Sequence, residues 1–162
     1  MNKRTNIRPF KTKKSILKAQ DTQGTMLEEP VAYYQVNDSY MHRIGTIRKG
    51  VSYEELVHVG DMLDIPVKSV LAIVGIPQTS YNKGKREHAL LGSRDSELVL
   101  SIKSLVTYGT KVFNNEEDKF HRWLKKPNIS LGGETPTNLL DTITGIQEIR
   151  NCLDRIEYGN FS

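Results

Sequence analysis

A chain of 162 residues with 37% apolar residues can bury one ordinary core or two small helical ones, but not a large one. Its single cysteine, Cys152, excludes an internal disulfide framework and a multi-thiolate metal site. Residues 1–96 hold fifteen Lys/Arg against ten Asp/Glu, a net of +5, and residues 97–162 hold eight against nine, a net of −1. The basic part is therefore the side that would meet a polyanion.

Residues 1–18 carry seven Lys/Arg (Lys3, Arg4, Arg8, Lys11, Lys13, Lys14 and Lys18) with no acid and little apolar periodicity. Such a block is expected to be a flexible basic leader. It is either an arm that touches DNA phosphates or a solvated leader. Residues 19–35, with Gly24 and Pro30, continue it as a linker, so the leader is expected to span 1–35 and order to begin near Val36. Lys3 and Arg4 are not followed by an apolar segment, and the longest apolar run, Val70 to Val74, is far too short to span a bilayer. The expected location is the cytoplasm, with no membrane partner.

Tyr40, Met41, Ile44 and Ile47 recur at helical spacing, and Gly50 stands where a glycine would end that helix. Ser52 and Glu55 read as a capping box for a second helix with Leu56, Val59, Gly60 and Leu63 on one stripe, up to the break at Ile65-Pro66. Val67 to Val74 is a short apolar third helix. Gly75-Ile76-Pro77 is a turn, and residues 78–86 form a fourth, polar and basic helix. A helix, a short glycine-containing turn and a polar-basic helix make a helix-turn-helix pattern, although spacing alone also fits a solvated helix-loop.

A helix lying in the major groove needs side chains that reach base edges, and cations that neutralise the flanking phosphates. Gln78, Thr79, Tyr81 and Asn82 supply the first kind, and Lys83, Lys85 and Arg86 the second. Gly84 lies inside this helix at a cost of roughly 1 kcal/mol relative to alanine.

Ser93 to Ser96 offer caps for a long helix reaching Phe113, with Leu98, Ile102, Leu105, Val106, Gly109, Val112 and Phe113 on a wide apolar face. That helix joins the two halves and is the expected pairing surface for a second copy. After a break at Asn114-Asn115, the acidic run Glu116-Glu117-Asp118 opens a short helix with Phe120, Trp123 and Leu124 on one face. Pro127 stops that helix at Lys126. Gly132-Gly133 permits a reversal, and Thr135-Pro136 is an N-cap with proline at the first helical position. Leu139 and Leu140 close a short helical turn. Thr144 and Gln147 read as a second capping box, opening a final helix with Ile146, Ile149, Cys152, Leu153 and Ile156 inward and its stop at Gly159. The aromatic of Asn160-Phe161-Ser162 has nowhere local to pack: it is a frayed end or a plug that orders on a partner.

The run from Trp123 to Pro136 (Trp-Leu-x-x-Pro-Asn-x-x-Leu-Gly-Gly-x-Thr-Pro), followed by Leu139-Leu140, Thr144-Gly145 and Leu153 to Gly159, resembles the carboxy-terminal toxin-binding domain of the Xre/ParS/MbcA antitoxins. Residues 78–86 are similar to the DNA-reading element of Xre-type antitoxins, although Asn82 stands where a basic residue is common. The resemblance implies an all-α fold: a helix-turn-helix domain at 36–92, and a linker helix with a toxin-binding domain at 93–162. It implies a RES-domain toxin that destroys NAD+ as partner, operator DNA as a second partner, and a homodimer within a larger complex. Glu157, Tyr158, Gly159, Asn160, Phe161 and Ser162 are then the residues that block the toxin's nucleotide pocket, on a platform held by Trp123, Gly132 and Gly133.

Catalysis finds little support in the residues themselves. His42, His58, His88 and His121 lie far apart with no metal-ligand spacing, and Gly132-Gly133 lacks the preceding strand and following lysine-serine of a phosphate loop. No enzyme activity and no cofactor are expected. Two readings remain: an antitoxin that also represses its own operon, and a transcriptional repressor whose carboxy-terminal part only dimerises.

Overall fold

In the computed structural model, residues 32–159 are described, with side chains from Tyr40 onward. The periodic segments are the helices: α1 (Ala32–Lys49), α2 (Glu55–Leu63), α3 (Val67–Val74), α4 (Gln78–Arg86), α5 (Ser93–Val112), α6 (Glu117–Leu124) and α7 (Ile143–Tyr158). Two 3-10 turns, Ile129–Leu131 and Pro136–Leu139, lie between α6 and α7. Extended pairing among the described residues amounts to one isolated bridge between Ser52 and Leu90, so the fold is all-α, as the periodicity predicts. The leader and the Asn160-Phe161-Ser162 tail lie outside the described residues, apart from the stretch from Ala32, where α1 begins four residues before Val36. No proline or glycine follows Pro30 until Gly45, so nothing local delays the helix.

The centre of the molecule is α5, which packs on α1, α2, α3, α6 and α7. Val99, Ile102, Leu105 and Val106 are buried against Leu56 and Val59 of α2 and Ile149 and Leu153 of α7, in one continuous hydrophobic cluster. The expectation that this helix pairs two copies is therefore corrected. Its wide apolar face is consumed inside one chain, because five helices cover their apolar stripes by surrounding a shared one.

The expected caps are realised in part or moved. The Ser52 hydroxyl accepts the Glu54 N–H at 3.2 Å ahead of α2, but the Glu55 carboxylate pairs with Lys103 of α5 instead of reaching back to Ser52. The cap of α5 is Gly92, and Ser96 is fully buried. Its hydroxyl accepts the Val51 N–H (3.1 Å) and donates to the Leu91 carbonyl (3.3 Å), tying the start of α5 to the segments before α2 and after α4. At α7 the cap is Thr142, not Thr144. Its hydroxyl accepts the Gly145 N–H at 3.0 Å while the Leu139 carbonyl presses on Gly145, where a Cβ would stand 2.0 Å from that oxygen.

The breaks follow the backbone chemistry of their residues. Gly50 (φ 89°) and Gly75 (φ 80°) turn the chain after α1 and α3, and Asn114 and Asn115 both take left-handed φ values (57° and 62°) between α5 and α6. Polar ties then lock neighbours together. Arg43 donates to Ser104 (3.0 Å) and Ser101 (3.3 Å), holding α1 on α5, and His121 meets the Met62 carbonyl at 3.0 Å. Lys125 reaches the Asp64 carboxylate at 2.8 Å, which holds that carboxyl below its ordinary pKa.

Candidate functional site

Helix α4 follows α3 across a turn in which Gly75 is left-handed and Pro77 extended. The succession of apolar helix, glycine turn and polar-basic helix is the one the spacing predicts. Of the expected DNA-reading residues, Gln78, Thr79, Asn82, Lys83, Lys85 and Arg86 are exposed together on α4, and Gln78 donates to Asn82 at 3.0 Å. Tyr81 is the exception. It is only 7% exposed and packs beside Tyr53 at 6.3 Å between ring centroids, so it is a core residue and not a base contact. Ser80, unnoticed in the sequence, takes an exposed place on the helix instead. The helix-breaking cost of Gly84 now has a reason. A Cβ there would lie 2.4 Å from the Tyr53 ring, so glycine lets Tyr53 seat α4 on the body.

At the other end, the aromatic face of α6 builds a platform. Phe120 is fully buried, Trp123 stacks on it (6.1 Å, 19° between planes), and Phe113 closes on both from the end of α5. Phe120 fits because Gly109 lies beneath it; a Cβ at Gly109 would meet the ring at 2.3 Å. Beyond α6 the chain is cross-tied at Asn128. Its carboxamide oxygen accepts the Ser130 N–H (2.9 Å), its carbonyl accepts the Gly133 N–H (3.0 Å), and its own N–H donates to the Glu134 carbonyl (3.0 Å). Gly132 and Gly133 take φ values of 68° and 87° there, which side chains other than glycine rarely adopt. This rigid turn displays Ile129 at 95% exposure, a feature no periodicity signals because the residue belongs to no stripe.

The final helix leads off this platform. Ile149, Cys152 and Leu153 are buried against α5, and the Cys152 sulfur accepts an Arg155 N–H at 3.0 Å. Glu157, expected to face a partner, is exposed but already accepts the Tyr108 hydroxyl, which also donates to Asp154 at 2.6 Å. The bonds donated to Asp154 and Glu157 push the Tyr108 phenol well above its ordinary pKa, because they hold the protonated form, and ionising it would also set a third negative charge beside them. Tyr158 is 72% exposed, and Gly159 (φ 67°) turns the chain out of the helix. Asn160, Phe161 and Ser162 lie outside the described residues, so of the expected plug the structure describes Glu157, Tyr158 and Gly159. Trp123 is half-buried in the platform, and Gly132 and Gly133 shape its turn.

Among the described residues no cluster of His, Cys, Asp and Glu is built to hold a metal, and no helix is long and apolar enough to cross a membrane. Residues 109–159, from the glycine under Phe120 to the glycine that ends α7, match the model of the antitoxin Xre/MbcA/ParS C-terminal toxin-binding domain. The platform and its outgoing helix thus define an antitoxin of a toxin–antitoxin system, with a toxin as partner. The chain belongs to the Xre/ParS/MbcA-type antitoxins. It is 30% identical to the Prs ADP-ribosylating antitoxin of Sphingobium sp. over 142 residues, covering 82% of this chain and 89% of that protein. An antitoxin Xre of Yersinia enterocolitica is 25% identical over 119 residues (74% of this chain, 80% of that one), and one of Photorhabdus laumondii is 30% identical over 90 residues (56% of this chain). The chain spans 61% of the length of the Photorhabdus relative.

Proposed function

We propose that this antitoxin neutralises a RES-domain toxin that degrades NAD+ by occluding its active site with the end of α7 and the tail that follows, and that it represses its own operon through α4. The division at 36–92 for DNA and 93–162 for toxin follows the same reading, as does a cytoplasmic setting and a homodimer within the complex. The observation that carries it is the end of α7. Its inner face is anchored on α5 while Tyr158 stands exposed at its last turn, so the residues beyond it start from a fixed position. A segment launched from a rigid support loses less conformational entropy on entering a cavity than a free one. For DNA, the support is the exposed polar-basic face of α4 after a glycine turn. A second reading of the partner rests on the Sphingobium relative, whose name couples ADP-ribosylation with an antitoxin. ADP-ribosylation also consumes NAD+, so the same occlusion serves either chemistry. The alternative of a repressor with a purely dimerising end predicts no loss of protection when that end is shortened.

Co-expression with the neighbouring toxin gene tests this. Deleting residues 158–162 should restore toxicity and NAD+ loss while the melting curve stays unchanged. A truncated form that protects cells as well as the full chain refutes occlusion. Labelled ADP-ribose on a cellular protein, as opposed to free nicotinamide and ADP-ribose, selects the second partner.

A further inference from the structure

A groove of about 530 Å³ runs between α1, α5 and the middle of α7, apart from the α4 face, and its Tyr108 wall is bonded to Glu157 near the end of α7. Arg43, Lys103, Lys111 and Arg150 line it, and among the described residues no acidic one does. Glu55 pairs with Lys103 at its edge, and the charged carboxylates of Asp154 and Glu157 lie behind the Tyr108 hydroxyl that donates to both. Among the described residues, Arg43, Lys111 and Arg150 form no ion pair. Cations gathered in one concavity repel one another, and a bound anion relieves that repulsion.

The two guanidinium groups are held in place. Arg43 is bonded to Ser101 and Ser104, and Arg150 lies over the Tyr108 ring at 4.5 Å. Fixed forks suit phosphate oxygens, which they can bind in pairs. Thr46 and Thr107 donate their hydroxyl protons to the His42 and Lys103 carbonyls, so the donors that remain for a ligand include the cationic groups and the hydroxyl of Ser104, whose oxygen accepts from Arg43. Phosphate places up to two charges on one centre, matching several cations in one short groove, whereas an acidic peptide would have to distribute them along its length. The volume falls within the roughly 300–1,000 Å³ of small-ligand sites, and Leu100 offers an apolar wall.

We infer that this groove binds a phosphate-bearing small molecule of nucleotide size, independently of toxin and operator. Calorimetric titration of the full chain with inorganic pyrophosphate and with ADP tests it, beside a fluorescent duplex DNA lacking the operator. Both small anions should bind saturably, compete with each other and raise the melting temperature. Arg150→Gln and Lys111→Gln should each weaken them about tenfold, the effect of losing one charge-assisted contact, while Lys126→Gln leaves them unchanged. Lys111 and Arg150 are exposed, so both variants should fold, and circular dichroism confirms it. Absence of saturable binding at millimolar anion overturns the inference, as does binding that the groove variants do not alter. Loss of duplex affinity in those variants without any pyrophosphate binding also overturns it, and assigns the groove to a nucleic-acid backbone.

Discussion

Gly109→Ala separates local preference from packing. On helix propensity alone the change in the last turn of α5 should stabilise by up to about 1 kcal/mol. The structure predicts the opposite sign. The new methyl would lie 2.3 and 2.4 Å from two Phe120 ring atoms, so ordinary carbon contact near 3.5 Å requires the ring to retreat by more than about 1 Å. Phe120 is fully buried between Phe113 at 5.7 Å and Trp123 at 6.1 Å, so the retreat must spread through the aromatic cluster. Overpacking of a filled core typically costs about 1–3 kcal/mol, and the methyl here is at the severe end. A net loss of about 2 kcal/mol should lower the melting temperature by roughly 4–8 °C. Urea denaturation and thermal melts measure it, with Thr107→Ala on the exposed side of the same helix as control. A double-mutant cycle with Phe120→Leu should show the two changes to be less damaging together than their sum. If Gly109→Ala is as stable as the parent or more so, the packing argument for the platform is wrong.

The Tyr108 phenol is raised in the folded state by Asp154 and Glu157, so its bonds contribute fully below the ordinary tyrosine value near 10 and are lost as pH rises through the higher folded value. Absorbance titration should show one tyrosine ionising well above the rest, and the pair Asp154→Asn with Glu157→Gln should bring it back among them. Replacing Lys83, Lys85 and Arg86 with alanine should weaken operator binding and flatten the logarithmic salt dependence by up to about 3, near one per phosphate contact. Tyr81→Phe should leave sequence preference intact because that ring is inside, whereas Asn82→Ala should change it. A Tyr81→Phe change that alters preference would return that residue to the DNA face.

Much of this was legible without coordinates. Gly50, Asn114-Asn115, Pro127 and Gly159 mark helix ends through backbone chemistry that belongs to the residue itself, and each helix stops where they stand or just before them. The spaced run from Trp123 to Gly159 pointed to the right family, whose matching domain covers residues 109–159. Caps were read less well. At α2 the Ser52 hydroxyl meets the helix start but Lys103 takes the Glu55 carboxylate, and at α7 Thr142 holds the capping place that the spacing gives to Thr144. Tyr81 was misplaced for a related reason: a tyrosine among polar neighbours resembles a contact residue until its partner, Tyr53, is seen beside it.

Sequence alone determined which segments are helical and where most of them stop, since those properties rest on periodicity and on single-residue backbone limits, and its resemblance to a known motif pointed to the family. Only the tertiary structure decided which apolar face is shared and which glycines are obligatory. It also decided which cations come to face one another. Those outcomes depend on partners 31 to 107 positions away in the chain: Tyr53 against Gly84, Ser96 under Val51 and Arg150 across from Arg43. A side chain's job is set by what lies across from it, and local preference carries no record of that.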